Sequence, residues 1–295
     1  MDKPLKKERP NPNTMDQNLA MNPIRQPFTP ELFAVFGDPV AHSLSPIMHN
    51  RAFAVTGYPG VYLPFRVESI ASAVSAMKTL NMKGASVTLP HKVQVLKHLN
   101  RMDATAERIG AVNTIHNQQG VLTGYNTDAM GAVSALTQHL VLKDRLVAIV
   151  GAGGAARAIG FGVTENEGKV IVLNRSSEQG EKLAADLNGA FLPLAEIEKV
   201  DCDVLIQTTP VGMFPNVDAS LVPKTVFHRD MTVMDIIYTP LQTRLLKEAE
   251  IAGCDTINGL PMFVHQGAFQ FELWTGLKAP VAEMQAAVMA ALMEE

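Results

Sequence analysis

Leu146-Val147-Ala148-Ile149-Val150-Gly151-Ala152-Gly153-Gly154-Ala155-Ala156-Arg157 decides the fold class. An apolar strand runs straight into a glycine turn, and a helix begins at once. Gly151 is expected to permit the tight turn and Gly153 to let the backbone approach a pyrophosphate. The free N–H groups and positive dipole end of the helix, over Gly154 and Ala155, then supply an anion site. An alanine stands where the third glycine of a dinucleotide fingerprint usually falls. The same residues also fit a plain strand–helix turn, so the flanking sequence has to decide.

The next strand, Lys169 to Leu173, ends in Asn174-Arg175-Ser176-Ser177. An NAD site would place an acid here to accept from the ribose 2′-OH. A guanidinium instead offers forked donors to a 2′-phosphate, which favours NADP. A solvated arginine at a helix start is the plainer reading of Arg175.

The 295 residues are 47% hydrophobic and 18% charged, the composition of a globular protein with room for one large or two ordinary domains. A formal charge of −4 gives no support for nucleic-acid or anionic-membrane binding. Cys202 and Cys254 have no metal-ligand spacing and read as buried thiols in a reducing cytoplasm. No apolar run approaches a membrane span. Residues 1–29, rich in Pro, Asn and Lys without hydrophobic periodicity, read as a disordered leader.

From Leu32 onward strands and helices alternate, which implies α/β architecture with mostly parallel sheets and helices on both faces. Strands are expected at 32–36, 61–65, 85–89, 146–150, 169–173, 204–207 and 233–237, with a hairpin over 111–125. Helices are expected at 46–55, 69–80, 93–99, 127–140, 178–187, 241–252, 264–274 and 281–293. The expected organisation is two α/β domains with a cleft between them.

Three clusters in the first half sit where strands end. Ser43 and Ser45, just ahead of Pro46, suit a carboxylate at a helix start, or Ser45 is an ordinary N-cap. Ser86-Val87-Thr88-Leu89-Pro90-His91-Lys92 ends a strand in a lysine. It is a proton donor if a cleft desolvates it, and otherwise a solvated loop charge. Asp128, in Asn126-Thr127-Asp128, either orients that lysine or caps a helix. His91 reads as a loop histidine pointing away from Lys92, and the Met-rich last helix as core.

Taken in order with Gly110-Ala111-Val112-Asn113-Thr114, the Gly151 loop, Thr208-Thr209-Pro210-Val211-Gly212-Met213, Asp235-Ile236-Ile237-Tyr238-Thr239-Pro240 and the Gly259–Gly276 stretch, these clusters resemble shikimate dehydrogenases. The resemblance covers nearly everything after residue 30. It implies a substrate domain over 30–128, completed by 264–295, and a Rossmann-type NADP domain over 129–263. The implied activity is the reversible NADPH-dependent reduction of 3-dehydroshikimate to shikimate, on the way to aromatic amino acids, by a cytoplasmic monomer or homodimer whose partner is its small-molecule substrate.

By the same resemblance Ser43 and Ser45 would hold the substrate carboxylate, with Tyr238 nearby. Thr88, Asn113, Asp128 and Gln266 would bind ring hydroxyls or the reacting oxygen, and Lys92, paired with Asp128, would transfer the proton. Gly151, Ala152, Gly153, Gly154 and Ala155 would hold the pyrophosphate, and Asn174, Arg175 and Ser176 the 2′-phosphate end. Met213 and Gly259 would line the nicotinamide region. The family pattern is broken at three places: Ser86 replaces a common asparagine, Gln207 another, and Gln179 a second basic residue. A broader quinate/shikimate dehydrogenase, a ligand-binding regulator without turnover, and another NADP enzyme sharing only the second domain are the competing readings.

Overall fold

The computed structural model describes residues 29–294. The leader expected over 1–29 therefore lies, but for its last residue, outside the described residues. Two six-stranded sheets organise the rest.

The first sheet has the order β2 (Gly60–Arg66), β1 (Glu31–Gly37), β3 (Gly84–Val87), β5 (Thr114–Gln118), β6 (Val121–Tyr125), β4 (Arg101–Met102). Its β1 is parallel to β2 and β3, but β5 runs antiparallel to both β3 and β6, so this sheet is mixed. The cause is the hairpin turn at Gln119 and Gly120, both at positive φ (55° and 89°), the geometry a two-residue turn needs to match strand twist. Asn117 Oδ1 accepts the Gly120 N–H at 2.8 Å and holds that turn. The hairpin strand begins at Thr114, leaving Ala111 to Asn113 as a connecting corner.

The second sheet is parallel throughout, in the order β12 (Asp255–Ile257), β11 (Thr232–Asp235), β10 (Val204–Gln207), β7 (Leu146–Val150), β8 (Lys169–Asn174), β9 (Ala190–Pro193). Strand order reverses between β7 and β10. Such a switch point opens a crevice outside the strand carboxyl ends, and here the Gly151 loop leaves β7 into it. The four-residue β9 and three-residue β12 were not expected; strands this short carry no readable two-residue period.

The helices are α1 (Ser45–Thr56), α2 (Ile70–Thr79), α3 (Ala104–Ile109), α4 (Thr127–Leu136), α5 (Gly154–Glu165), α6 (Ser177–Asp186), α7 (Arg244–Ala252), α8 (Gly259–Thr275) and α9 (Val281–Glu294). The helix expected over 93–99 is a 3-10 turn over Gln94–His98, and the six-residue α3 was not expected. Thr243 caps α7 by accepting the Leu246 N–H, so that helix starts later than its apolar pattern.

The chain's last two helices return to the first sheet. Leu260, Val264, Phe271 and Trp274 of α8 and Met284 and Val288 of α9 are buried with Phe33, Phe53 and Tyr62. Met293, by contrast, is exposed, so the Met-rich helix is core on one face only. Trp274 lies over Gly84, where no Cβ would fit, and its Nε1–H donates to the Ile115 carbonyl at 3.0 Å. Helix α8 also meets α4 closely. A Cβ on Gly131 would stand 2.8 Å from the Met262 carbonyl oxygen and 2.9 Å from Gln266 Cβ. Cys202 and Cys254 are buried free thiols. No helix among the described residues is long and apolar enough to cross a membrane.

Candidate active site

Adjacent parallel strands β1 and β3 end side by side, and each releases one of the clusters read from sequence. Thr88 N–H donates to the Phe36 carbonyl at 2.9 Å, and the Thr88 methyl fills the space beside Gly37 that a Cβ would need. The chain then turns back, and the Val112 N–H bonds the Lys92 carbonyl at 2.8 Å. Lys92 is thereby carried toward the start of α4.

There Lys92 Nζ donates to Asp128 Oδ2 at 2.6 Å, with the two side chains 21% and 11% exposed. Asp128 does not cap the helix. Asn126 takes that role, its Oδ1 accepting the Asp128 N–H at 3.1 Å, which leaves the Asp128 carboxylate for other partners. Its Oδ1 accepts from Asn113 Nδ2 at 2.8 Å. Asn113 is itself held, because its Oδ1 accepts the Thr127 N–H and the Thr114 hydroxyl, each at 2.8 Å. An ammonium, a carboxylate and an amide thus form one ordered cluster.

The plain N-cap reading of Ser45 fails. The N-cap position of α1 is Leu44, in helical conformation, and no side chain caps the helix. Ser45 donates its N–H to Ser43 Oγ at 3.3 Å, and its buried hydroxyl reaches the Tyr62 phenol. Tyr238 packs its ring on Phe263 with centroids 4.7 Å apart, and Gln266 donates to the Phe263 carbonyl at 2.8 Å within its own helix. The loop position of His91 is as expected, but the ring is buried and bonds the Val67 carbonyl at 2.6 Å.

Several polar side chains that sequence reading assigned no role complete this region. Thr114, Thr127, Ser86, Tyr62, His49 and Gln270 are all buried and hydrogen-bonded around Asn113 and its neighbours. The readable signal was polarity on an otherwise apolar face, clearest for Gln270 amid the buried residues of α8.

At the end of β7, Gly151 has φ 116°, and a Cβ there would stand 2.5 Å from Thr208 Oγ1. Glycine is required by both facts. Gly153 occupies the N-cap of α5 with no side-chain cap, and no acid lies in the first turn. A Cβ built on Gly153 or Gly154 meets nothing within 4 Å, so open space lies before the uncapped N–H groups. That combination fits a pyrophosphate. Ala152 is partly buried against the second core.

Asn174 Nδ2 donates to the Ser176 carbonyl at 3.0 Å, shaping the turn after β8. Ser176 is the N-cap of α6 but makes no side-chain cap bond. Arg175 is exposed, borders a shallow pocket with Pro193, Leu194, Leu221 and Pro223, and forms no ion pair among the described residues. A guanidinium so placed fits a phosphate on the adenosine ribose. Gln207 staples the following loop, donating to the Thr209 and Val211 carbonyls at 2.8 and 3.0 Å. Met213 is exposed beyond Gly212 on that loop. Gly259 opens α8 against the Ile236 carbonyl, which leaves no room for a Cβ. Below this rim Asp235 is fully buried and accepts from Thr243 Oγ1 at 2.8 Å and the Ile237 N–H at 3.1 Å. Burial pushes its carboxyl up to about 6.

Comparison with known proteins covers both halves. The shikimate dehydrogenase substrate binding domain matches residues 35–115, the shikimate / quinate 5-dehydrogenase model 134–237, and the shikimate 5'-dehydrogenase C-terminal domain 259–289. The shikimate dehydrogenase (NADP(+)) of Methanosarcina acetivorans is 43% identical over 275 residues, 88% of this chain and 98% of that one. A shikimate dehydrogenase solved in complex with NADP+ matches with TM-score 0.85 at 40% identity, over 89% of this chain and 96% of its own. The Thermus thermophilus shikimate 5-dehydrogenase, in complex with NADP(H) and shikimate, gives 0.83 at 37% identity, over 89% and 100%. Because the likeness runs through both sheets and the returning helices at such identity, the chain belongs to the shikimate dehydrogenase family.

Proposed function

We propose that this chain is an NADP-dependent shikimate dehydrogenase, reversibly reducing 3-dehydroshikimate to shikimate in the biosynthesis of aromatic amino acids. The observation that carries the reading is the Lys92–Asp128 pair at 2.6 Å, aimed by Asn113 beside the strand ends that bear Ser43, Ser45 and Thr88. Relatives named for this reaction and this cofactor support it.

NADPH supplies the hydride when bound. The chain's own groups do the rest. As the ketone carbon is reduced, negative charge grows on its oxygen, and Lys92 Nζ stabilises that charge and delivers the proton. Asp128 and Asn113 keep the ammonium in place, and in the oxidative direction Lys92 takes the proton back. Ser43 and Ser45, with Tyr238, receive the carboxylate; Thr88, Asn113, Asp128 and Gln266 receive hydroxyls. A site built to pair particular hydroxyls leaves buried groups unpaired with analogues that lack them, which is the source of selectivity.

Residues 30–128 with 264–295 form the substrate domain and 129–263 the NADP domain in this reading. Gly151 to Ala155 hold the pyrophosphate, Asn174 to Ser176 the 2′-phosphate, and Met213 and Gly259 border the nicotinamide. Every residue invoked comes from one chain, so a monomer or either subunit of a homodimer serves the chemistry. The two free thiols suit a reducing cytoplasm. Initial rates of nicotinamide reduction, with shikimate or quinate crossed against NADP+ or NAD+, test the proposal. Turnover is expected with shikimate and NADP+. Equal efficiency with quinate or NAD+ would move the chain to a broader subclass, and shikimate binding without turnover would sink the enzyme.

A further inference from the structure

We propose that Gln270 is a positioning residue of this site: its carboxamide spans a cross-strand pair, Ser86 on β3 and Thr114 on β5, and so holds the Asn113 corner that aims Asp128 at Lys92. Ser86 and Thr114 face each other directly in the antiparallel β3–β5 register. Gln270 reaches them from α8, with Oε1 accepting from Ser86 Oγ at 2.8 Å and Nε2 donating to Thr114 Oγ1 at 2.9 Å.

The buried partners permit one orientation of that amide. Gln270 Oε1 also lies 3.2 Å from His49 Nε2. His49 is wholly enclosed, and burial pulls its imidazole down to about 3, so the ring is neutral. Because Oε1 only accepts, the His49 proton must sit on Nε2. Ser86 gives its single proton to Gln270 and therefore accepts from the Tyr62 hydroxyl at 2.6 Å. Nε2 also faces the Asn113 backbone carbonyl oxygen at 3.4 Å, so flipping the amide would set oxygen against oxygen there. Nε2 is thus kept on Thr114, which, having accepted, passes its own proton to Asn113 Oδ1. The donors run in one sense from Tyr62 through Ser86, Gln270, Thr114 and Asn113 to Asp128.

Position 86 is one of the two residues that the Gln270 carboxamide joins. An asparagine there would lie beside Thr114 across the strand pair and could bond it directly, since opposed residues sit about 5 Å apart. Serine is too short for that reach. The carboxamide that bridges the pair is supplied from α8 instead.

The inference rests on the function proposed above, and the full chain tests both. Wild type, Gln270→Leu, Gln270→Ala and the double variant Ser86→Asn/Gln270→Ala are compared for kcat, KM for shikimate, KM for NADP+ and Tm. Gln270→Leu is expected to lower kcat about tenfold, the worth of one well-placed hydrogen bond, with KM for NADP+ unchanged. Ser86→Asn in the Gln270→Ala background should recover most of the lost kcat. If Gln270→Leu does not fold, Ser86→Ala, which frees Oε1 from its strand anchor, should lower kcat in the same sense. A folded Gln270→Leu with kcat within twofold of wild type would overturn the role of Gln270. So would a double variant that regains Tm but not kcat. A wild type that turns over no shikimate would instead overturn the proposed function and the inference with it.

Discussion

The two sides of the proposed site are made of different atoms. At the Gly151 loop the groups available to a ligand are backbone N–H groups at the uncapped start of α5, with no side chain between them and open space. At the ends of β1 and β3 the available groups are side chains, and each is held by another: Lys92 by Asp128, Asp128 by Asn113, Asn113 by Thr114 and Thr127. A backbone site depends on chain path, so it tolerates side-chain change wherever the path survives. A side-chain site concentrates its chemistry in single atoms, and losing one loses a function.

The largest expected effect lies on the side-chain side. Lys92→Ala removes the proton donor and should lower kcat by about 10²–10⁴-fold. KM for NADP+ should stay near the wild-type value, because no backbone amide of the glycine loop depends on Lys92. Steady-state kinetics in both directions checks this. A fall of less than tenfold would assign the proton to another group and dissolve the contrast. The same change should also leave Asp128 partly enclosed without its cation, so some loss of Tm is expected alongside.

Arg175→Ala tests the other side. Backbone groups would still hold the pyrophosphate, so the loss should fall on discrimination. KM for NADP+ should rise about 10- to 100-fold, the worth of charge-assisted bonds to a phosphate, and the preference over NAD+ should shrink by the same factor. An unchanged ratio would show that Arg175 is the solvated helix-start charge its exposure also fits.

The same contrast explains what could be read from sequence. The glycine turn, the strand before it and the parallel second sheet were legible because their signals are local: an apolar run, a positive-φ glycine and a helix start. Lys92, Asn113 and Asp128 were legible only as members of an ordered set of motifs, since nothing in their spacing says that a turn after β3 meets the start of α4. Whether Asp128 caps α4 or faces Lys92 was open until Asn126 was seen to do the capping. Gln270 stood out only as a polar residue on an apolar helix face, and its role was not legible because its partners lie on α1, β3 and β5, far away in the chain. Nor was the pairing of β5 with β3 legible, although the hairpin was: which neighbour β5 would choose is a tertiary fact.

The smallest effect separates the halves by the sign of their pH dependence. In the first half, the enclosed His49 titrates near 3 against an ordinary 6.5. The folded state holds fewer protons there than the unfolded chain, so this contribution is full above 6.5 and is lost as pH falls. In the second half Asp235 titrates near 6 against an ordinary 3.8. Here the folded state holds more protons, so the contribution is full below about 4 and is lost as pH rises through 6. Asp235→Asn keeps an oxygen for the Ile237 N–H while removing the titration. Urea unfolding of wild type and variant at pH 5 and 7.5 isolates the term, because His49 and every other group cancel in the difference. Relative to the variant, wild type should lose about 1–2 kcal/mol of stability between those two values. A difference that stays flat would mean that Asp235 is ionised in the fold at both values. Its bonds from Thr243 and Ile237 would then outweigh its burial, and the second half would hold a buried carboxylate on neutral donors alone, where the first half sets a cation beside Asp128.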